Sequence, residues 1–336
     1  MGTVTSCPGC GEAVGEKDRF CESCGQSLLV RRTPVGGPVS RPDGAACVAC
    51  GGEDVDADGL CADCGRAQPS GRDRMECDLG MVVGVSDKGR RRARNEDSMA
   101  YGTVLGADAP PTVVAVVCDG VATSDRADSA SQRAVDEAVG VLLDAVLENA
   151  DPEAATRTAV ARAIEVVSAL ADPSVPGTAP SCTFVSAVVT PEKVTVGSVG
   201  DSRVYWITEP DSGAMPSAVL TADDTVAAEL IAEGMSEEEA NSVHQAHALS
   251  KWIGADAGEI EPRVVTVEPG GPGHVLLCSD GLWNYVPDAA ALAEATPSEG
   301  GMTAAVGLTK LALDLGGHDN ITTVLVPFPP TEGNEP

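Results

Sequence analysis

Eight of the twelve cysteines fall within the first 64 residues, in four Cys-x-x-Cys pairs: Cys7 and Cys10, Cys21 and Cys24, Cys47 and Cys50, Cys61 and Cys64. The two halves repeat each other. Ten residues separate the pairs in each half, the second half begins 40 residues after the first, and a glycine follows every pair, at Gly11, Gly25, Gly51 and Gly65. A Cys-x-x-Cys-Gly turn brings two thiolates to one ion while the glycine takes the positive φ that closes the knuckle. Four such turns predict two tetrahedral four-thiolate sites, each with one structural Zn2+. Disulfides are disfavoured in a reducing compartment, and no βαβ pattern marks a thioredoxin-like redox pair. Iron in a rubredoxin-like site stays open. The remaining Cys77, Cys118, Cys182 and Cys278 share no ligand spacing, and the last three sit in apolar runs as small buried hydrophobes.

A second set of groups is made of carboxylates. Val116-Val117-Cys118-Asp119-Gly120 and Leu276-Leu277-Cys278-Ser279-Asp280-Gly281 each push an Asp out of an apolar strand into a glycine turn. Gly200-Asp201-Ser202-Arg203 joins two strands in the same way, and Gly317-His318-Asp319-Asn320 precedes the last one. One Asp-Gly alone is usually only a turn. Several converging carboxylates near a core repel each other unless cations lie between them, and hard oxygen ligands call for Mg2+ or Mn2+. Asn95-Glu96-Asp97 follows a cluster of arginines and adds two further acids.

The elements that must place these groups read as α+β. Short Val- and Thr-rich runs predict strands at 81–86, 112–118, 182–190, 193–199, 203–208, 262–268, 274–279 and 320–326. Helical periodicity covers 129–150 and 153–171, with shorter helices at 223–234, 236–246, 288–295 and 303–315. Ser236 and Glu239 form a capping box, and Gly316-Gly317 stops the last helix. Strands come in groups with helices between the groups, which predicts two packed sheets covered by helices. The expected organisation is a first zinc ribbon at 1–30, a linker at 31–43, a second ribbon at 44–66, a linker at 67–77, a large α+β domain at 78–328 and a tail at 329–336.

Composition excludes several function classes. Of the 336 residues, 51 are acidic and 22 basic, a net charge of −29 that repels phosphate backbones and anionic lipid surfaces. Aromatic residues are 3%, too few for rows of stacked bases. Residues 1–75 hold 8 basic and 11 acidic side chains, so the ribbons carry no basic stripe, and a protein partner is expected for them rather than a nucleic acid. No membrane-spanning run and no signal-peptide pattern is visible, which points to a cytoplasmic protein. No Cys-x5-Arg loop is present, and none of the five lysines follows a glycine as a P-loop requires. His244 and His247 lie on an expected surface helix without a third partner, and His318 is given no chemistry.

Five segments in register resemble the metal-dependent protein phosphatases of the 2C type (the PPM family) over residues 78–327: Gly89 with Arg92-Ala-Arg-Asn-Glu-Asp97, Val117-Cys-Asp-Gly120, Val199-Gly-Asp-Ser-Arg203, Leu277-Cys-Ser-Asp-Gly-Leu282 and Gly317-His-Asp-Asn-Ile-Thr322. The resemblance implies a four-layer α-β-β-α sandwich of two antiparallel sheets with its metals in a cleft at one edge. It implies that Asp119 bridges two Mn2+ or Mg2+ ions, that the Gly120 carbonyl binds one, and that Asp280 and Asp319 bind the other. Glu96 and Asp97 would hold metal-bound waters, and Asp201 with Asp280 would form a weaker third site. Arg92 matches the phosphate-binding arginine, whose planar fork pairs two phosphoryl oxygens. Arg90, Arg91 and Arg94 are expected to be solvated. Two ions about 3.5–4 Å apart lower the pKa of a bridging water and aim it in line at phosphorus, with no covalent enzyme intermediate. The implied substrates are proteins phosphorylated on serine or threonine.

The sequence also departs from the family. After Asp-Gly the family carries His or Met and then Gly-Gly, where this chain has Val121-Ala122-Thr123. Val121 donates no proton, and Ala122 and Thr123 take positive φ less easily than glycine, so a displaced loop is expected, with activity reduced but retained because Asp119, Asp201, Asp280 and Asp319 are all present. The Gly-Thr-Thr segment is likewise altered, to Ser181-Cys182-Thr183. The competing reading is a phosphatase-like scaffold that binds phosphoproteins while the ribbons dock a partner. The segment from Thr221 to Pro262 falls where the family has a variable flap, and is expected to shape substrate choice.

Overall fold

The computed structural model describes residues 5–37 apart from 8, 9, 16, 17, 19 and 26, then 52 and 61–63, then 71–330 apart from 106–110, 173, 175–178 and 299. Cys47, Cys50 and Cys64 of the second cysteine quartet lie outside the described residues. In chain order the elements are β1 (Thr5–Ser6), β2 (Ala13–Val14), β3 (Val30–Arg32), β4 (Arg74–Asp78), β5 (Val83–Asp87), β6 (Ser98–Val104), β7 (Thr112–Cys118), α1 (Ala127–Leu147), α2 (Pro152–Ser168), β8 (Ser181–Cys182), β9 (Phe184–Val189), β10 (Val194–Val199) and β11 (Arg203–Thr208). There follow β12 (Ala218–Val219), α3 (Val226–Ala232), α4 (Glu237–Ser242), β13 (Ile253–Gly254), β14 (Arg263–Val267), β15 (Gly273–Cys278), α5 (Asp280–Trp283), α6 (Ala289–Ala295), α7 (Gly301–Asp314) and β16 (Ile321–Phe328).

Two six-stranded antiparallel sheets form the body, in the orders β14-β10-β9-β7-β6-β3 and β12-β11-β15-β16-β5-β4. The layers follow from how apolar residues alternate along the strands. On β7, Val113, Ala115 and Val117 face the second sheet and pack with Val204, Trp206, Leu277 and Val324. The alternate residues Val114, Val116 and Cys118 face α1 and α2, meeting Ala134, Val135, Ala138, Leu142 and Val160. The far face of the second sheet is covered by α5, α6 and α7 through Tyr205, Leu276, Leu282, Leu292 and Leu308. Both faces of each sheet are thus buried, giving the four-layer α-β-β-α sandwich that the sequence leads one to expect. With so few aromatic residues, each buried one carries a large share of the packing: Trp206 and Tyr101 are fully buried, and truncating either to alanine should cost about 3–5 kcal/mol.

Several helices, though not α1, α5 or α7, start where the sequence supplies a side-chain cap. Asp151 accepts a hydrogen bond from the Ala154 N–H at the head of α2, with Pro152 in the first turn. Ser236 and Glu239 close a reciprocal capping box on α4.

The two linkers are corrected by the structure. Residues 31 and 32 belong to β3, which pairs with β6 in the register Val30↔Val104, Arg31↔Thr103 and Arg32↔Gly102. Residues 74–77 belong to β4, paired with β5 as Arg74↔Asp87 through Asp78↔Val83. Their Pro, Gly and Arg content signalled a tether, but an edge strand needs only free backbone donors on its neighbour, and β6 and β5 provide them. β6 itself, Ser98–Val104, was also absent from the expected strands, because Gly102 and mixed polar residues interrupt its apolar run.

Candidate active site

Strand register collects the carboxylates at one end of the sandwich. In the first sheet Ser98 lies opposite Cys118, Val117 opposite Val185, and Val199 opposite Phe184. In the second, Arg203 lies opposite Cys278, Cys278 opposite Thr323, and Ile321 opposite Asp87. The residues just beyond these ends, Asp119, Asp201, Asp280 and Asp319, therefore converge although up to 200 positions separate them in sequence. They line a cavity of about 160 Å3 together with Arg92, Gly120, Val121, Ala122, Thr183 and Leu249.

Each acid is held from behind. The Asp119 N–H donates to Thr183 Oγ1 at 2.9 Å, and Thr183 Oγ1 lies 2.7 Å from Ser202 Oγ. Trp283 Nε1 donates to the Asp201 carbonyl at 2.9 Å, while the Arg203 guanidinium stacks 3.7 Å above the Trp283 ring and forks onto Asp223 at 2.9 and 2.7 Å. Asn284 Nδ2 donates to Asp280 Oδ2 at 3.1 Å. Gly281 is required by close approach, since a Cβ there would stand 1.9 Å from the Asn320 carbonyl oxygen. Arg92 Nη2 donates to Asp319 Oδ2 at 2.5 Å, so the guanidinium sits at the cavity wall already beside a carboxylate.

The electrostatics of this cleft are unfavourable without a cation. Burial first, then repulsion from Asp97, Asp280, Asp201 and Asp319, pushes the Asp119 carboxyl well above the ordinary range. Asp201 is pushed up to about 8 by burial and by Asp280 and Asp223, and Asp280 to about 6 by burial and by Asp319. Asp280 Oδ1 is buried without a hydrogen-bond partner. An unpartnered carboxylate oxygen among three other acids, with Arg92 the one basic side chain on the cavity wall among the described residues, is a donor set that fits hard divalent ions.

Sequence comparison agrees with this geometry. The sequence model of the family described as "Protein phosphatase 2C" matches residues 88–299, and that described as "Double zinc ribbon" matches residues 7–65. A protein named serine/threonine phosphatase stp from Listeria innocua is 30% identical over 250 residues, covering 72% of this chain and 93% of that protein. The chain belongs to the protein phosphatase 2C family. Among solved structures, serine/threonine phosphatase Stp1 from Staphylococcus aureus matches this family member with a TM-score of 0.60 at 25% identity, over 74% of this chain and 96% of that one. The catalytic domain of PstP in complex with two manganese ions matches with a TM-score of 0.55 at 26% identity, over 74% and 97%.

Not every residue singled out in this phosphatase 2C family chain reaches the cavity wall. Asp97 is fully buried behind it, accepting hydrogen bonds from Ser279 Oγ at 2.7 Å and Thr322 Oγ1 at 2.8 Å, with Oδ1 unpartnered and its carboxyl pushed up to about 7 by burial. Glu96 is half-buried, and burial raises its pKa against the pull of Arg92 and Arg94. Its backbone is fixed on both sides, the N–H donating to Asn320 Oδ1 at 2.8 Å and the carbonyl accepting from Gly120 N–H and Ser131 Oγ. Asn320 Nδ2 also donates to the Lys88 and Arg94 carbonyls, so this residue locks the loop of Glu96 onto the start of β16. Asn320, Thr183, Trp283 and Thr322 were not among the expected site residues, since their role lies in contacts between segments far apart in sequence. Arg90, Arg91 and Arg94 are exposed, as are His244, His247 and His318. The Val121-Ala122-Thr123 loop stays joined to β8 by Val121 N–H to the Ser181 carbonyl at 3.0 Å, and its turn is closed by Ser124 N–H to the Val121 carbonyl at 2.8 Å, without a glycine pair.

The first cysteine quartet is more tightly gathered than the carboxylates. The sulfurs of Cys7, Cys10, Cys21 and Cys24 all lie within 4.8 Å of one another, with Cys7 to Cys24 at 3.6 Å and Cys10 to Cys21 at 3.5 Å. A tetrahedron with Zn–S bonds of about 2.3 Å has edges of roughly this length. Gly11 and Gly25 take φ of +73 and +74, and their N–H groups close back on the Cys7 and Cys21 carbonyls. The backbone N–H of Glu12 favours the Cys10 thiolate, but the crowd of neighbouring sulfurs prevails and pushes the thiol up to about 12.

Proposed function

We propose that the chain is a Mn2+- or Mg2+-dependent phosphatase acting on phosphoserine and phosphothreonine in proteins. The observation that carries this reading is the cavity walled by Asp119, Asp201, Asp280 and Asp319 with Asp280 Oδ1 unpartnered and Arg92 beside it. Asp119, the Gly120 carbonyl, Asp280 and Asp319 would hold two ions, and Asp201 with Asp280 would offer a weaker third site. When bound, the ions supply Lewis acidity toward the phosphoryl oxygens and a nucleophile at neutral pH. Arg92 turns its fork from Asp319 toward the phosphoryl oxygens and orients the ester. Glu96 and Asp97 stand behind these residues and would accept hydrogen bonds from water in the loaded cleft. Val121 brings no proton to the leaving group, which must take it from solvent.

The two cysteine quartets are assigned one Zn2+ each and a docking role toward a protein partner. The acidic balance of residues 1–75 argues against nucleic acid. Among the described residues no helix is long and apolar enough to cross a membrane, and the reading places the chain in the cytoplasm. The flap contributes Leu249 to the cavity wall and is assigned substrate selection; a chimera of residues 221–262 with unchanged substrate preference would refute that role.

The test is hydrolysis of p-nitrophenyl phosphate and of a phosphothreonine peptide with Mn2+, with Mg2+ and with chelator, by wild type and Asp280→Asn. Turnover that needs metal and disappears in the variant is expected. Folded, metal-loaded protein without turnover would favour the phosphoprotein-binding scaffold.

A further inference from the structure

The cavity is backed by a part of the chain that lies outside the match to the phosphatase family. The segment carrying the second cysteine quartet runs between Gly37 and Gly71, and both of its ends are fixed to the same patch of the catalytic region. On the entering side, β3 pairs with β6, the Thr33 N–H donates to the Tyr101 carbonyl at 2.9 Å, and the Gly36 N–H donates to Asp136 Oδ2 at 2.9 Å. On the leaving side stands Arg72, two residues before β4. Its Nη1 donates to Gln132 Oε1 at 2.8 Å, and Gln132 Nε2 in turn donates to Asp136 Oδ2 at 3.1 Å. The two ends of the ribbon segment therefore close on one another over Gln132 and Asp136 of α1.

The other arm of the same guanidinium reaches the acidic turn. Arg72 Nη2 donates to Ser98 Oγ at 3.0 Å and to the Asp97 carbonyl at 3.4 Å, and the Arg72 carbonyl accepts from Asn95 Nδ2 at 3.0 Å. Ser98 Oγ lies 2.9 Å from Ser131 Oγ, which also donates to the Glu96 carbonyl. A planar fork that satisfies α1 with one arm and the Asn95–Ser98 turn with the other fixes their separation. Resting on the phosphatase reading, we propose that Arg72 is a positioning residue that couples the stem of the second ribbon to the Asn95–Asp97 turn behind the metal cleft. Motion of the stem, as when a partner engages the ribbon, is then transmitted to the backbone that carries Glu96 and Asp97.

The test uses the full chain with Arg72→Met, which keeps the side-chain length and removes the fork, and Arg72→Lys, which restores a charged donor. Mn2+ affinity is measured by calorimetry, alongside kcat and KM for p-nitrophenyl phosphate. Arg72→Met is expected to weaken Mn2+ binding or lower kcat by about tenfold, the scale of a lost charge-assisted hydrogen bond, with KM within about twofold and part of the loss recovered in Arg72→Lys. A folded Arg72→Met protein that binds Mn2+ and turns over like wild type overturns the proposal. If Arg72→Met does not fold, Gln132→Leu decides: it releases the α1 arm alone, so weaker Mn2+ binding supports the coupling and wild-type binding overturns it. A wild type that binds Mn2+ without any turnover would sink the phosphatase reading, while the Mn2+ affinities would still decide the role of Arg72.

Discussion

The first cysteine quartet and the carboxylate cleft are both built to hold cations, yet they relate to the fold in opposite ways. The cysteines come from two local turns, and among the described residues the apolar core beneath them is Cys7, Val14 and Cys21 with Leu28 packed alongside. Such a unit cannot offset the entropy of ordering its own chain, so the metal must supply the folding energy. The carboxylates on the cavity wall come from four separate loops held by a large two-sheet core that includes Trp206, Leu277 and Val324. Here the core supplies the folding energy and sets the carboxylates against one another, while a bound metal would relieve that repulsion and supply the chemistry. One site makes its fold through the ion, and the other spends part of its stability to keep a place for the ion.

The sharpest way to break this comparison is to remove one charge from the cleft. Asp119→Asn and Asp280→Asn are expected to lower metal-dependent turnover by about a thousandfold or more. The same variants should melt at a higher temperature than wild type in chelator, because a mutually repelling buried carboxylate has been neutralised. A drop in the melting temperature of the metal-free variants would show that the repulsion is not the dominant cost there.

The converse experiment removes the metal from the ribbon. Cys7→Ser with Cys24→Ser should lose one equivalent of zinc and unfold the segment around residues 5–25, since structural zinc contributes about 10–16 kcal/mol of coupled folding free energy. Hydrolysis of a small aryl phosphate should stay within about twofold of wild type, because the cleft draws its order from the sandwich core. Hydrogen exchange localises the loss; protection that disappears from β7 or β15 as well would merge the two regions into one folding unit.

The pH dependence separates them further. Asp280, Asp97 and Asp201 have folded-state values of about 6, 7 and 8, above the ordinary carboxyl range. A raised folded value means that the native state holds more protons than the unfolded chain. The stabilisation is complete below about pH 4 and is lost as pH rises through 6 to 8. Metal-free protein is therefore expected to melt at a lower temperature at pH 8 than at pH 5.5, and saturating Mn2+ should remove or reverse that slope. The ribbon contributes in the opposite sense, since its thiolates need deprotonation before they bind zinc. A metal-free melting temperature that climbs between pH 5.5 and 8 would contradict the assignment of strain to the cleft.

How much of this could be read from sequence follows the same division between local and distant order. Cys7, Cys10, Cys21 and Cys24 declare their site through spacing alone, and the glycines after them take the positive φ that the knuckles demand. Asp119, Asp201, Asp280 and Asp319 were legible as strand-end acids, and their convergence follows from a register that places Cys118, Val199 and Cys278 at one edge. The supports behind them were not legible. Ser279 and Thr322 meet Asp97 across more than 180 positions, and Asn320 reaches the Lys88 and Arg94 carbonyls across more than 220. No periodicity encodes such contacts. β3 and β4 were concealed for another reason: edge strands need little apolar sequence of their own when the neighbouring strand supplies the pairing.

The smallest effect is expected where the sequence departs from its family while the cleft keeps its shape. Val121 lines the cavity, and its N–H is tied to the Ser181 carbonyl, so the loop is anchored despite lacking the glycine pair. Val121→His would place a titratable donor at the wall without disturbing that backbone bond. If proton delivery to the leaving group limits turnover, the gain should be several-fold and should appear with a phosphothreonine peptide, whose alkoxide leaving group needs a proton, and not with p-nitrophenyl phosphate, whose leaving group does not. The comparison of the two substrates at pH 6 and pH 8 makes the test specific, because the added imidazole titrates between them. Equal gains on both substrates would mean that the substitution acted through loop position. No gain on either would mean that the Val-Ala-Thr loop costs nothing in this cleft, and that the carboxylates and Arg92 alone set the rate.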